Sequence, residues 1–311
     1  MVHDDGVLTG LPDVDPHVLR EQLEVEELRS QVNTSQGFTL LIVSLLLFIG
    51  AQASFGAMAD FIAALVIVMV VHELGHYAAM RAFGYRDTRM FFIPFLGAAV
   101  SGRHDDASGT QRAVVALAGP LPGIVFGMLA VWLLGPMSPF MATLVAVAIV
   151  LNFFNLLPIL PFDGGHFAHI VWVSRWPRAE FLVRLLMGAA MTWIAYRLGS
   201  WVLAILGGLT LLGAGLASRM RQLSHELRLA EPALPPSILE RPDLIGPLGT
   251  RLQQRLSPER AMNPRRLAML LQRVWQGARE TPPGPLASTA LSAVYLLFVG
   301  LGVLMYMLGQ R

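Results

Sequence analysis

Apolar runs long enough to cross a bilayer recur along this chain, and nothing else in it constrains the fold as tightly. A helix needs roughly 17–25 predominantly apolar residues to cross hydrocarbon. Inside lipid the backbone must satisfy its own hydrogen bonds, which leaves helices or closed barrels. Helix-length runs fall at Phe38–Phe55, Asp60–Met80, Ala113–Leu134, Phe140–Leu160, Phe181–Leu198, Trp201–Ala217 and Leu286–Leu308. They predict an all-α polytopic membrane protein with about seven transmembrane helices. Composition agrees: 14% of the 311 residues are charged and 54% hydrophobic, against about 25% charged in a soluble domain.

The chain has no cysteine, which excludes a disulfide framework, a thiolate metal site and a cysteine nucleophile. All 23 basic residues are arginine, a bias that reads as GC-rich coding and a bacterial source. The net charge of +2 gives no reason to expect nucleic acid. Arginines gather in three connections: Arg81, Arg86, Arg89, Arg103 and Arg112 after the second span, Arg175 and Arg178 after the fourth, and a series from Arg219 to Arg279 after the sixth. The positive-inside rule makes these loops cytosolic, so the N-terminus is cytosolic and the C-terminus outside, in the cell (inner or plasma) membrane. The fifth span contains Arg184 and ends at Arg197, which must snorkel or pair.

Four regions follow: an acidic cytosolic arm over 1–36, a transmembrane domain over 37–217, an arginine-rich cytosolic segment over 218–285 and a C-terminal transmembrane helix over 286–311. The arm lacks the basic start and early apolar core of a secretory signal, so the first span reads as a retained anchor. Asp15-Pro16 is a good helix start, and the acidic helix after it, to about Ser30, reads as a solvated surface helix. In the later segment Asn263-Pro264 caps a helix with Leu267, Leu270, Leu271, Val274 and Trp275 at helical spacing. This basic amphipathic helix either lies on anionic lipid or packs on its own segment.

Inside the second span stands His72-Glu73-Leu74-Gly75-His76. Residues four apart share a helix face, so both imidazoles can point at one ion, with Glu73 placed to activate a water on it. Three titratable groups within a span are expensive and functional by default; the bland alternative is a polar cluster holding helices together. Zinc would need a third protein ligand and an open position. Asp60 lies roughly two helical turns or more from His72, too far to share a site. Asp163 closes the fourth span in "LNFFNLLPILPFDGGHF", where Pro158 and Pro161 break the helix. A broken helix end at membrane depth is tolerated where it is buried in protein or lines a watery cavity. Glu180 is a less well placed alternative ligand. His166 and His169, just past Asp163, read as interfacial loop residues, and His3, His17, His104 and His225 as surface histidines.

The motif His72-Glu73-Leu74-Gly75-His76, followed by Asn155-x-x-Pro158-x-x-Pro161-x-Asp163-Gly164, resembles the site-2 protease family of intramembrane zinc metalloproteases. The resemblance covers about 60–166, the family's three-helix catalytic core. It implies one zinc per chain held by His72, His76 and Asp163, with Glu73 as general base and Asn155 engaging substrate or supporting the oxyanion. "ALAGPLPGIVFG" resembles the family's glycine-proline helix, although Gly119, Gly123 and Gly127 also read as plain close helix packing. "MFFIPFLGAAVSG", Met90–Gly102, is too short to span and carries proline and glycine, which argues for a re-entrant segment; it resembles the family's small membrane-embedded β-hairpin. Three features depart from the family. Phe162 replaces the usual leucine before the aspartate. The connection between Leu134 and Phe140 has no room for a periplasmic PDZ domain, and the segment after Ala217 is too short for paired nucleotide-sensing modules.

The resemblance implies hydrolysis of peptide bonds in transmembrane protein substrates, at or near the cytosolic side of the membrane, with prior cleavage by another protease left open. The rival from a different class is a proteolytically inactive membrane scaffold or metal-binding protein that keeps the fold.

Overall fold

Proline and short polar caps decide where the apolar runs become helices. The computed structural model describes residues 14–31, 37–54, 58–93, 97–103, 106–133, 135–257 and 261–309; residues 1–13, with His3, and His104 lie outside the described residues. Along the chain come α1 (Pro16–Gln31), α2 (Gly37–Ser54), α3 (Ala59–Ala82), β1 (Arg86–Ile93), β2 (Gly97–Arg103), α4 (Gly109–Ala118), α5 (Pro120–Leu133), α6 (Pro139–Asn155) and α7 (Asp163–Ala168), which continues into a π-helical turn (His169–Val173). Then follow α8 (Glu180–Leu198), α9 (Trp201–Ala230), a 3-10 turn (Ile238–Glu240), α10 (Pro242–Leu256), α11 (Pro264–Arg279) and α12 (Pro285–Gly309). Proline occupies the first position of α1, α5, α6, α10, α11 and α12, where its missing N–H leaves no helical bond unmade. Ser108 and Gln111 form a reciprocal capping box at α4, and Ser138 caps α6 through the Met141 N–H. Gly199, at φ 63°, ends α8 in the left-handed conformation that glycine adopts without strain.

The chain divides into two compact units, one of Met1–Asn33 with Gly215–Glu280 and one of Thr34–Ala214 with Thr281–Arg311. In the first, the amphipathic pattern of α11 is spent on the unit's own core. Leu267, Leu271, Val274 and Trp275 are buried among Leu19 and Leu23 of α1 and Ile245 and Leu252 of α10. Of the two readings open for α11, packing on protein is the one found, against α10 of its own segment and also against α1 of the arm, which was not foreseen. The solvated-helix reading of α1 holds for part of its surface only, because Leu19 and Leu23 are fully buried in the same core while Val18, Arg20, Glu21, Glu24 and Leu28 are exposed. Gly246 and Gly249 let α10 approach Pro16 and Leu19 closely. Arg228 donates to the carbonyls of Gly277, Ala278 and Glu280, answering the open acceptors at the end of α11.

In the second unit α3 packs against α4, α5 and α6, and β1 and β2 form an antiparallel pair beside α2 and α3. The register runs from Arg89 opposite Ser101 to Ile93 opposite Gly97; residues 94–96 lie outside the described residues. Ser44 of α2 accepts the Phe92 N–H at 2.9 Å, and the Phe48 and Phe92 rings meet at 5.6 Å. Among the described residues, five helices are long and apolar enough to cross a membrane: Ala59–Ala82, Gly109–Leu133, Glu180–Leu198, Trp201–Ala230 and Pro285–Leu304. Leu41–Ser54 and Pro139–Asn155 are shorter apolar helices at the places of the first and fourth expected spans. The fourth stops at Asn155 and not at Leu160 because Pro158 and Pro161 cannot donate to a continuing helix and push the residues before them out of it.

Candidate metal centre

His72 and His76 stand one turn apart on α3, and both are buried. Their Nε2 atoms are 3.2 Å from each other. Asp163 brings its carboxylate to the pair: Oδ2 lies 3.0 Å from His72 Nε2 and Oδ1 lies 3.3 Å from His76 Nε2. One ligand atom from each residue falls within 4.8 Å of the others, a cluster that can hold a metal ion. The donor set suits zinc. Atoms about 2.0–2.2 Å from a tetrahedral ion stand about 3.3 Å apart, close to the separations found here. Two imidazoles and one carboxylate also leave a fourth position for water or substrate.

The outer nitrogens fix how the rings face. His76 Nδ1 lies 2.7 Å from the Val115 carbonyl of α4. A carbonyl can only accept, so Nδ1 carries the proton and Nε2 keeps its lone pair for a metal. His72 Nδ1 lies 2.7 Å from Asn152 Oδ1. The orientation of that amide is set by its other end, since Asn152 Nδ2 donates to the Ala148 carbonyl at 2.7 Å. Both histidines therefore present the same ring nitrogen to the same point. Outer hydrogen bonds of this kind orient metal ligands and raise their basicity. Asn152 and the Val115 carbonyl were not foreseen from the sequence. A carbonyl gives no sequence signal, but an asparagine inside an apolar span is itself a functional flag.

Glycines make room for this arrangement. A side chain at Gly75 would strike the Ala118 carbonyl, one at Gly119 the His76 ring and one at Gly123 the Asn152 amide. The glycine-proline helix thus packs closely, as expected, and what it packs on is the His76 ring and the Asn152 partner of His72. Asp163 is the first residue of α7, just beyond the proline break. Gly164 and Gly165 pass so near the backbone of Leu156, Leu157 and Ile159 that neither position has room for a Cβ.

Glu73 is 5% exposed and lines, with His72, His76 and Asp163, a cavity of about 1150 Å³. The Val100 N–H of β2 reaches its carboxylate. Asn155 lines the same cavity and donates to the Leu151 carbonyl at 3.2 Å. His166 also faces the cavity, whereas His169 contacts Glu180 at 2.8 Å. Glu180 in turn accepts from Arg184 at 2.5 Å. That trio pairs the arginine of the fifth span, and it commits Glu180 away from the ligand cluster, which removes Glu180 as the third ligand.

Parts of the chain are similar to known proteins. Residues 60–139 match the model of peptidase family M50, a stretch that includes both histidines and Glu73 and stops short of Asp163. The stage IV sporulation protein FB of Bacillus subtilis is 30% identical over 148 residues, covering 46% of this chain and 50% of that one. A zinc metalloprotease of Methanocaldococcus jannaschii is 27% identical over 107 residues, 32% of this chain and 31% of that one. The chain spans about half, or less, of the length of the curated relatives it matches. The solved structure of the site-2 protease from Methanocaldococcus jannaschii aligns with a TM-score of 0.41 at 20% identity, covering 57% of this chain and 87% of that one.

Proposed function

We propose that this member of the site-2 protease family is a zinc metalloendopeptidase that hydrolyses peptide bonds of transmembrane proteins within the membrane or at its cytosolic edge. The observation that carries the reading is the convergence of His72, His76 and Asp163 beside a buried Glu73 on one large, mainly apolar cavity. His72 and His76 would hold zinc through Nε2, and Asp163 through its carboxylate. When bound, zinc supplies a Lewis acid that activates water and polarises a carbonyl. Glu73 takes the proton of the attacking water and passes it to the departing amine. Its burial beside the cluster keeps that exchange away from bulk solvent. Asn155, on the cavity wall, is suited to hold the substrate carbonyl or the oxyanion that forms from it.

A helical substrate hides its carbonyls in its own hydrogen bonds and must unwind locally before it can be cut. Ala99 and Val100 of β2 line the cavity, so an unwound segment can add to that strand, fixed by main-chain hydrogen bonds. In this reading the β1–β2 pair lies within the membrane, seven helices cross it, and the arginine-bearing loops face the cytosol with the N-terminus. The region 37–217 is the protease domain, and the arm and the arginine-rich segment are cytosolic. The test is cleavage of a reconstituted transmembrane substrate in vesicles. Glu73→Gln should abolish cleavage while zinc stays bound. Cleavage at the wild-type rate by that variant would refute the role of Glu73.

A further inference from the structure

The last helix reaches back to the metal centre. Leu156 caps α6, and its carbonyl lies at the broken end of that helix, where no continuing turn supplies a donor. Tyr295 of α12 answers it: the phenol hydroxyl donates to the Leu156 carbonyl at 2.5 Å, and Tyr295 is 3% exposed. The same carbonyl is what Gly164 closes on, since a Cβ at 164 would strike it. Tyr295 and the residue next to Asp163 therefore meet at one peptide group. The Tyr295 ring also lies flat on Phe167 of α7, with centroids 4.9 Å apart and planes at 6°. It meets Trp172 edge-on at 5.4 Å. The start of α12 is tied to the same region, because Trp172 donates to Ser292 at 2.9 Å and Arg175 donates to Ser288 and to the Pro283 carbonyl.

We propose that Tyr295 is a positioning residue for Asp163. It holds the broken end of α6 and the face of α7, and so sets where the third ligand stands. The proposal rests on reading the site as a zinc centre. It means that the catalytic core is not complete at about His166, because a helix separated from Asp163 by α8 to α11 supplies part of its frame. A buried carbonyl left without a donor seeks another partner, and the neighbouring peptide at 163–164 would move with it.

The test uses the full chain in detergent, with zinc affinity read by competition against a chromogenic chelator and ligand geometry read from the visible spectrum of the cobalt-substituted protein. Tyr295→Phe keeps the ring stack and loses only the hydroxyl. It should weaken zinc binding about tenfold or more, as loss of an outer hydrogen bond around a metal site does, and shift the cobalt bands. Ser292→Ala loosens the same helix at the Trp172 contact and leaves the Tyr295 hydroxyl in place; it should bind zinc like wild type. Wild-type affinity and spectrum in Tyr295→Phe would overturn the proposal while leaving the zinc reading intact. An equal loss in Ser292→Ala would also overturn it, because general docking of α12 would then explain both variants. Wild-type protein that binds no zinc would defeat the zinc reading itself, and the proposal with it.

Discussion

Helices α11 and α3 use charged and titratable residues in opposite ways. On α11 the apolar face is buried with α1 and α10, and the arginines lie outside. In that unit the ion pair of Arg255 with Glu226 at 2.9 Å is exposed, 42% and 51% for the two side chains. On α3 the order is reversed: His72, Glu73 and His76 are buried, while Phe61, Ile67, Val71 and Leu74 are exposed where lipid would lie. Exposed pairs can be replaced by water, so each one matters little. Buried polar groups have no such substitute, and each depends on a particular partner. Mutational sensitivity should therefore follow atom-by-atom commitment and not the number of charges.

The largest effect should come from Gly119→Ala. Its Cβ would overlap the His76 ring, and the ring cannot move without leaving the cluster. Zinc stoichiometry of the purified variant should fall to near zero while its helical circular dichroism persists; full zinc content would show that the packing has slack. Next is Asn152→Ala, which removes the orienting acceptor of His72. Outer partners of metal ligands are worth about 10–100-fold in affinity, so a chelator titration should show a loss in that range. The smallest effect belongs to the other region. Arg255→Ala should cost less than about 1 kcal/mol in thermal unfolding and leave zinc affinity unchanged. A larger cost would mean that the surface pairs act as a network, which would blur the contrast between the regions.

What the sequence displayed and what it hid divide along the same line. The two histidines, Glu73 and Asp163 were legible because titratable groups inside apolar runs are conspicuous, and helical spacing alone puts the histidines on one face. The early end of the fourth expected span was half legible: Pro158 and Pro161 announced a break, but not that α6 would stop at Asn155. The partner of His72 was not legible, because Asn152 and Asn155 both sit in the same apolar stretch and only the packing of α3 on α6 tells which one reaches the ring. Glu180 was open as a ligand until its contacts with His169 and Arg184 appeared. The fate of α11 could not be read from its amphipathic pattern, which suits a lipid surface and a protein core equally. Only α1 and α10, brought together from distant parts of the chain, decide it.

The most direct test of the central claim is the metal content of the purified, detergent-solubilised chain, measured by mass spectrometry beside His76→Ala and Asp163→Ala. The wild type should carry about one zinc per chain, and both variants should lose it. A well-folded wild type without metal, or zinc that survives Asp163→Ala, would contradict that claim.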